Sequence, residues 1–201
     1  MSFGELAFTP VVKQLQEQHG SRKQYERIAA RDMDEGFGDF ERDFLEQRDS
    51  FYMSTVGETG WPYVQHRGGP KGFLKVIDAH TLAFADYSGN KQYISTGNLL
   101  TDDRVALILV DYPRQARMKI LGHVEELERA KAAEWLPKVR VAGYKATIER
   151  VFVIRVEAFD WNCPQHITPR YTAEEIRSAV AAVEAENMAL KQEIAELKAA
   201  S

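Results

Sequence analysis

The chain has 201 residues, of which 44% are hydrophobic and 28% charged, as expected of a globular protein with one core of ordinary size. The formal net charge of -4 argues against an extended nucleic-acid-binding surface, which would need a basic face over the whole domain. A single cysteine, Cys163, excludes an internal disulfide and a cysteine-rich zinc site. The five histidines are scattered without ligand spacing, so no metal is predicted.

The N-terminal part is predicted to be a helical segment over residues 1–47. Thr9 is a suitable N-cap residue and Pro10 suits the first position of a helix. A second helix is predicted after the capping-box spacing of residues 21–24, and a third over Asp39–Gln47. The start of the chain lacks the pattern of a secretory signal and no apolar run could span a bilayer, so a cytoplasmic protein without membrane contact is expected.

From Ser50 the pattern changes to that of β-strands. SFYMSTV and WPYVQHR flank the turn GETG, and further strand-like runs are Phe73–Ile77, Thr81–Ala85, RVALILVDY, RMKILGHVEEL and VFVIRVEAFDW. Short helices are predicted over Asn90–Leu100 and Ala130–Val139. Because hairpins link most of these runs, the pattern favours an antiparallel barrel or sandwich over residues 48–171 and disfavours a doubly wound sheet. The predicted class is mainly β with helices (α+β), with a six-stranded antiparallel barrel.

The last segment, residues 172–201, is predicted to form a long helix with a heptad repeat. Val180, Asn187 and Ile194 fall at position a, and position d holds Ile176, Val183, Leu190 and Leu197. This pattern indicates a parallel two-stranded coiled coil with a partner helix. The alternative is an amphipathic helix that packs its apolar stripe on its own barrel.

One stretch, Gln65–Asn98, has the chemistry of a phosphate site. Arg67 is followed by two glycines, and the polar run Asn90, Lys91 and Gln92 opens a predicted helix. Cations and exposed backbone amides at such a position suit a phosphate. The two common nucleotide fingerprints, GxxxxGK[ST] and GxGxxG, are both absent from the sequence.

Three segments together resemble the FMN-binding split-barrel family related to pyridoxamine 5'-phosphate oxidase. These are TVGETGWPYVQHRGGP, LAFADYSGNKQYISTGNLLTDDRVALILVDYPRQARMKILGHVEEL and FDWNCPQHITPRY, and the resemblance covers about Arg48 to Tyr171. It implies a split barrel, a homodimer and FMN held at the subunit interface. The DWNCPQHI segment resembles an uncharacterised branch of that superfamily.

The resemblance also implies the residues that would bind the cofactor. Arg67 matches the basic residue that meets the flavin ribityl chain or phosphate, and its planar charged fork suits that task. The segment that grips the phosphate in the oxidases corresponds to Ser88, Asn90, Lys91 and Gln92, where Asn90 replaces the first basic residue. Further candidates beside the ring are Gln65, His66, Gly68 and Arg117. A second wall of the pocket is predicted from Trp161, Asn162, Gln165 and His166.

The leading hypothesis for function is an FMN-dependent oxidoreductase acting on an unknown small molecule. Activity as pyridoxamine phosphate oxidase itself is not expected, because the substrate-binding Arg and His pattern of that enzyme is not found near the chain end. The alternatives are a non-catalytic flavin-binding or sensing protein and a haem-binding split barrel. No catalytic residue is assigned, and the choice between FMN and a deazaflavin stays open.

Overall fold

The computed structural model describes residues 2–29, 36–162 and 165–199. Its helices are α1 (Phe3–Ala7), α2 (Pro10–Gln18), α3 (Arg22–Ala29), α4 (Asp39–Glu46), α5 (Ile94–Leu99), α6 (Leu136–Val139) and α7 (Ala173–Ala199). Its strands are β1 (Ser50–Val56), β2 (Pro62–Gly68), β3 (Leu74–Val76), β4 (Thr81–Tyr87), β5 (Arg104–Asp111), β6 (Ala116–Glu128) and β7 (Ile148–Asn162).

The strands form one antiparallel sheet in the order β2-β1-β5-β6-β7-β4-β3. The predicted mainly-β class with N-terminal helices and a long C-terminal helix is confirmed. The described sheet has seven strands rather than the six predicted. The difference is small, and the shortest strand, β3, is only three residues long.

Three helices differ from the sequence prediction. The short α1 was not predicted, although Ser2 and Glu5 form a capping box at its start. Helix α5 does not begin at Asn90, because Lys91 and Tyr93 adopt left-handed φ angles of 60° and 54° that interrupt helical geometry. Helix α6 occupies only the last four residues of the predicted span Ala130–Val139, and turns fill the rest.

The core follows from strand alternation. In β5, Val105, Leu107 and Leu109 are 4%, 2% and 0% exposed, and the residues between them are less buried. Aromatic rings from separate strands meet beside them: the ring centroids of Phe84 and Phe152 lie 5.0 Å apart. Burying each such ring contributes about 1.5–3 kcal/mol. These two rings also support the charged cleft described below.

One glycine is required where β6 and β7 shift register. The pairing is irregular between Leu121 and Gly122, and a Cβ on Gly122 would clash with the backbone oxygen of Arg155. Backbone cannot move aside as a flexible side chain can, so this position accepts no side chain without a shift of the two strands.

Gly122→Ala is therefore expected to lower the free energy of unfolding by about 1–3 kcal/mol, measured by urea denaturation. Gly97→Ala is the matched control, since a Cβ at this position in α5 would meet nothing within 4 Å. The control is expected to be neutral or to stabilise by up to about 1 kcal/mol. Equal effects of the two substitutions would contradict the role of Gly122.

The chain divides into two compact units. The first comprises Met1–Asp111 and Ala116–Pro164, and the second Tyr112–Gln115 and Gln165–Ser201. Within the second unit, the side-chain amide of Gln115 donates to the Ile167 carbonyl at 2.6 Å.

Helix α7 makes up most of the second unit. Thr172 caps it: the Thr172 hydroxyl accepts from the Glu175 backbone N–H at 3.2 Å, and the Glu175 carboxylate accepts from the Thr172 N–H at 2.7 Å. The helix runs without a break for 27 residues, and none of its described residues is buried.

Candidate functional site

A polar cleft of about 250 Å³ opens in the first unit where β2, β4 and β7 meet the loop before α5. Alternation along β2 directs Gln65 and Arg67 into it, and Asp86, Glu149 and Arg150 come from the other two strands. The loop contributes Asn90, Lys91 and Gln92, followed by Tyr93, Ser95 and Thr96. The structure thus brings together two predicted segments that lie more than twenty residues apart in the chain.

Arg67 lies on the floor of the cleft with a side chain only 10% exposed. Its Nη1 donates to the Asp86 carboxylate at 2.6 Å, and its guanidinium carbon lies 5.1 Å from the ring centroid of Phe152. Among the described residues, its Nε is buried and has no hydrogen-bond partner. Burial lowers the pKa of Arg67, while Asp86 opposes that shift. One donor on a fixed cation therefore remains to be satisfied.

Arg150 is the main cleft residue that the sequence did not identify. Its guanidinium contacts three carboxylates, those of Asp86 at 3.2 Å, Glu126 at 3.4 Å and Glu149 at 3.4 Å. It also donates to the Thr96 hydroxyl at 3.1 Å. Arg150 lies opposite Asp86 in the β4–β7 register, so its importance follows from strand pairing.

The carboxylates of the cleft are held by these two arginines. Asp86 is shared by Arg67 and Arg150, and its side chain is 13% exposed. Burial raises the pKa of Asp86, with both arginines opposing the shift, and burial also raises the pKa of Glu126. The lining itself carries three cations, Arg67, Lys91 and Arg150, against the two carboxylates Asp86 and Glu149. Glu126, which contacts Arg150 at 3.4 Å but is not part of the lining, balances the remaining positive charge of the network.

The loop before α5 is shaped by local hydrogen bonds. Asn90 accepts from the Gln92 backbone N–H at 3.2 Å, and the Ser88 hydroxyl donates to Glu149 at 2.8 Å. Lys91, with its left-handed backbone, lines the cleft and is exposed. The predicted helix start at Asn90 is thus wrong, but the polar segment itself does line the cleft.

The other predicted residues of β2 have separate places. Gln65 accepts a hydrogen bond from the buried Ser95 hydroxyl at 2.9 Å, which fixes its amide at the cleft wall. Gly68 and His66 line a smaller neighbouring cavity of about 150 Å³. The His66 ring makes an edge contact with Tyr52, 5.5 Å between centroids, and His66 is exposed.

Two predicted residues at the ends of β6 and β7, Arg117 and Trp161, do not line the cleft. The side chain of a third, Asn162, lies outside the described part of the chain. Arg117 pairs with Asn162 across the two strands, and its Nε is buried without a hydrogen-bond partner in the described part of the chain. The Trp161 indole donates to Glu41 at 3.0 Å, and its ring lies 4.6 Å from that of Phe44, so it packs against α4. Their roles toward a cofactor stay predictions.

The last two predicted site residues, Gln165 and His166, belong to the second unit. Gln165 and His166 are exposed, and His166 has a φ of 65°. Cys163 lies outside the described residues. Within the described ranges, no cluster of three or more His, Cys, Asp or Glu residues could hold a metal ion. No helix described here is long and apolar enough to cross a membrane.

Comparison with protein families identifies the first unit. The family model of pyridoxamine 5'-phosphate oxidase matches residues 37–162, which is more than half of the chain. This chain belongs to the pyridoxamine 5'-phosphate oxidase family. The match covers every strand of the sheet and all the residues that line the cleft. The resemblance noted in the sequence is therefore confirmed at the level of the family.

Solved structures give more distant similarities. HupZ from Group A Streptococcus is 15% identical, with a TM-score of 0.47 over 67% of this chain and 99% of that one. An FMN-binding protein from Syntrophomonas wolfei is 12% identical, with a TM-score of 0.47 over 73% of this chain and 97% of its own. At these values the similarity carries no functional conclusion. No curated protein matches the chain significantly.

Proposed function

We propose that this protein binds FMN with the phosphate in the polar cleft lined by Arg67 and Arg150, and acts as a flavin-dependent oxidoreductase on a small molecule. The observation that carries the proposal is the pair of guanidinium groups of Arg67 and Arg150, which line one cleft and are held by the shared carboxylate of Asp86. Membership of the pyridoxamine 5'-phosphate oxidase family supports a flavin as the ligand.

The residues of the cleft fit a phosphate-bearing ligand. Arg67 and Arg150 supply two guanidinium groups whose positions are fixed by Asp86, so little side-chain freedom is lost on binding. Lys91 adds a third cation at the rim. Because Gln65 lines the cleft and accepts from Ser95 through its oxygen, its amide nitrogen is left as a possible donor to a ligand.

A bound flavin would supply the hydride or electron chemistry, and the task of the protein is to bind and orient it. Arg67 and Arg150 would bind the phosphate end of the flavin. The stacked rings of Phe84 and Phe152 pack against the guanidinium of Arg67 and hold it in position. Asp86 limits the excess positive charge, so that the cleft remains folded before any ligand enters.

The proposal includes a homodimer with the flavin at the subunit interface, as the family resemblance implies. The outer face of the β1–β2 hairpin supports such a contact, because it exposes apolar side chains to solvent. Tyr52 is 41% exposed, Val56 36% and Val64 60%, and strand alternation places all three on the same face. Exposed apolar residues that cluster on one face are typical of protein contact sites.

The test compares FMN with riboflavin, which lacks the phosphate. Arg67→Ala is expected to weaken FMN binding about tenfold or more, because a hydrogen bond to a charged group contributes about 1.5–3 kcal/mol. Lys91→Ala is expected to have a smaller effect, since Lys91 is exposed. Riboflavin affinity should stay unchanged in both variants. Flavin fluorescence quenching measures all these affinities.

Lys71→Ala serves as the control, because Lys71 is exposed and does not line the cleft. If Arg67→Ala kept the full preference for FMN over riboflavin, the phosphate site would be wrong. The absorption spectrum and mass of the released cofactor distinguish FMN from a deazaflavin or haem. Turnover of reduced flavin with oxygen or quinones then separates an oxidoreductase from a flavin carrier.

A further inference from the structure

The apolar stripe of α7, here called the α7 seam, is unburied. Its side chains are exposed by 49–64%: Ile176, Val180, Val183, Leu190, Ile194 and Leu197. With Asn187 they follow the alternating spacing of four and three that defines heptad positions a and d. A helix gains most of its stability by packing such a face, so a continuous 27-residue helix with this stripe calls for a packing partner.

We propose that the α7 seam pairs with the α7 seam of a second copy of this chain, as a parallel, in-register, two-stranded coiled coil. The side chains at the seam select two strands. In the C-terminal half of the seam, branched Ile194 stands at position a and Leu190 and Leu197 at position d, while Ile176 and Val183 occupy the two earlier d positions. The combination of a branched residue at a with leucine at d is the one that favours two-stranded over higher-order parallel coils.

Asn187 selects the parallel orientation. Its amide nitrogen donates to the Val183 carbonyl of its own helix at 3.2 Å, and its side chain is exposed. In a parallel in-register pair, Asn187 meets Asn187 of the second copy, and the two amides hydrogen-bond to each other. In an antiparallel pair, position a faces position d, and the amide would be buried against an apolar side chain at a cost of about 1–3 kcal/mol.

The flanking charges agree with this orientation. In a parallel pair, a residue at g lies beside the residue five positions further on, at e of the other helix. Glu186 then meets Lys191, and Glu193 meets Lys198. In an antiparallel pair g faces g, which would place Glu186 and Glu193 together. Both charge pairs are therefore attractive only in the parallel arrangement.

Such a coil would join two copies whether or not flavin is bound. The coil would tether the first units of the two copies and so raise their effective concentration toward each other. Even a weak contact between these two units would then form readily. This role is independent of the cleft chemistry, and it holds even if the ligand of the cleft is not FMN.

Disulfide trapping in the full-length chain tests the proposal. In a Cys163→Ser background, Val180→Cys and Ile194→Cys each place a thiol at position a, whereas Gln192→Cys places one on the outer face at position f. Mild oxidation is expected to convert each of the first two variants, by itself, to a covalent dimer on a non-reducing gel. The Gln192→Cys control should remain mostly monomeric.

Other outcomes would overturn the proposal. An antiparallel pair would place position a opposite position d, so neither single variant would trap itself, and a covalent dimer would form only when the Val180→Cys chain is mixed with a chain that carries a cysteine at position d, such as Leu190→Cys or Leu197→Cys. A seam packed on its own chain or on another protein would give no more dimer than the Gln192→Cys control.

A charge reversal gives a second, independent readout on exposed residues that should not disturb folding. Lys191→Glu with Lys198→Glu, added to the Val180→Cys chain, is expected to slow its self-trapping, because Glu now faces Glu. Mixing it with a Val180→Cys chain that carries Glu186→Lys and Glu193→Lys should restore rapid trapping between unlike chains. If the charge substitutions did not change the rate of disulfide trapping, the parallel pairing would be contradicted.

Discussion

Arg150→Ala is expected to destabilise the protein by about 3–5 kcal/mol, because it leaves buried carboxylates without their shared cation. Asp86 and Glu126 are 13% and 19% exposed, and burial already raises the pKa of each. Without Arg150 both carboxyls should favour the protonated form still more strongly. Urea denaturation measures the loss, and FMN affinity should fall with it.

The pH dependence gives this prediction a distinctive sign. A carboxyl whose pKa is raised by folding contributes its stability below its unfolded pKa and loses it as pH rises through the folded pKa. The penalty of Arg150→Ala is therefore expected to be larger at pH 8 than at pH 5, where the orphaned carboxyls are more often neutral. A penalty independent of pH would contradict the charge network as its cause.

Arg155→Ala is the matched control for Arg150→Ala. Arg155 lies on the same strand, β7, but is exposed and does not line the cleft. Its removal is expected to change stability by no more than about 0.5 kcal/mol. If Arg155→Ala lost as much stability as Arg150→Ala, any side-chain truncation on β7 would be destabilising. The charge network around Arg150 would then not be the cause of the loss.

Phe152→Ala is expected to cost about 3–5 kcal/mol, since this ring is fully buried and stacks on Phe84. The cavity would also remove the surface on which the guanidinium of Arg67 rests, 5.1 Å from the ring centroid. We therefore expect the preference for FMN over riboflavin to fall in the variant even at temperatures where it is fully folded.

Phe152→Leu separates packing from the contact between cation and ring. Leucine refills most of the volume, so its loss of stability should be less than half that of alanine. Leucine offers no aromatic face to Arg67. If Phe152→Leu restored both stability and FMN preference completely, the ring face would have no role at the site.

Much of the fold could be predicted because its signals are local. Alternation in RVALILVDY predicted β5, and Thr9 with Pro10 predicted the start of α2, where the Thr9 hydroxyl accepts from the Val12 N–H at 3.4 Å. The extent of α5 could not be predicted in the same way. Its start depends on the left-handed backbone at Lys91 and Tyr93, which neither residue type favours by itself.

The residues of the candidate site also divide into those with a local signal in the sequence and those without one. Arg67 and the polar segment around Lys91 were identified from the sequence, and both line the cleft. Arg150 was missed because it precedes an apolar run and has no local feature of a binding residue. Trp161 was placed near a cofactor by its chemistry, yet it packs against α4, which lies about 120 positions earlier in the chain.

The amino-acid sequence alone was enough to predict the strand pattern, the C-terminal helix with its heptad repeat, the basic segments and the family resemblance. Each of these is a property of residues that are close together in the chain. The charge network needed the tertiary structure. Asp86 meets Arg67 across 19 positions of chain and Arg150 across 64 positions. Which charges meet over such separations is set by strand register, and register depends on turns, bulges and core packing along the whole sheet.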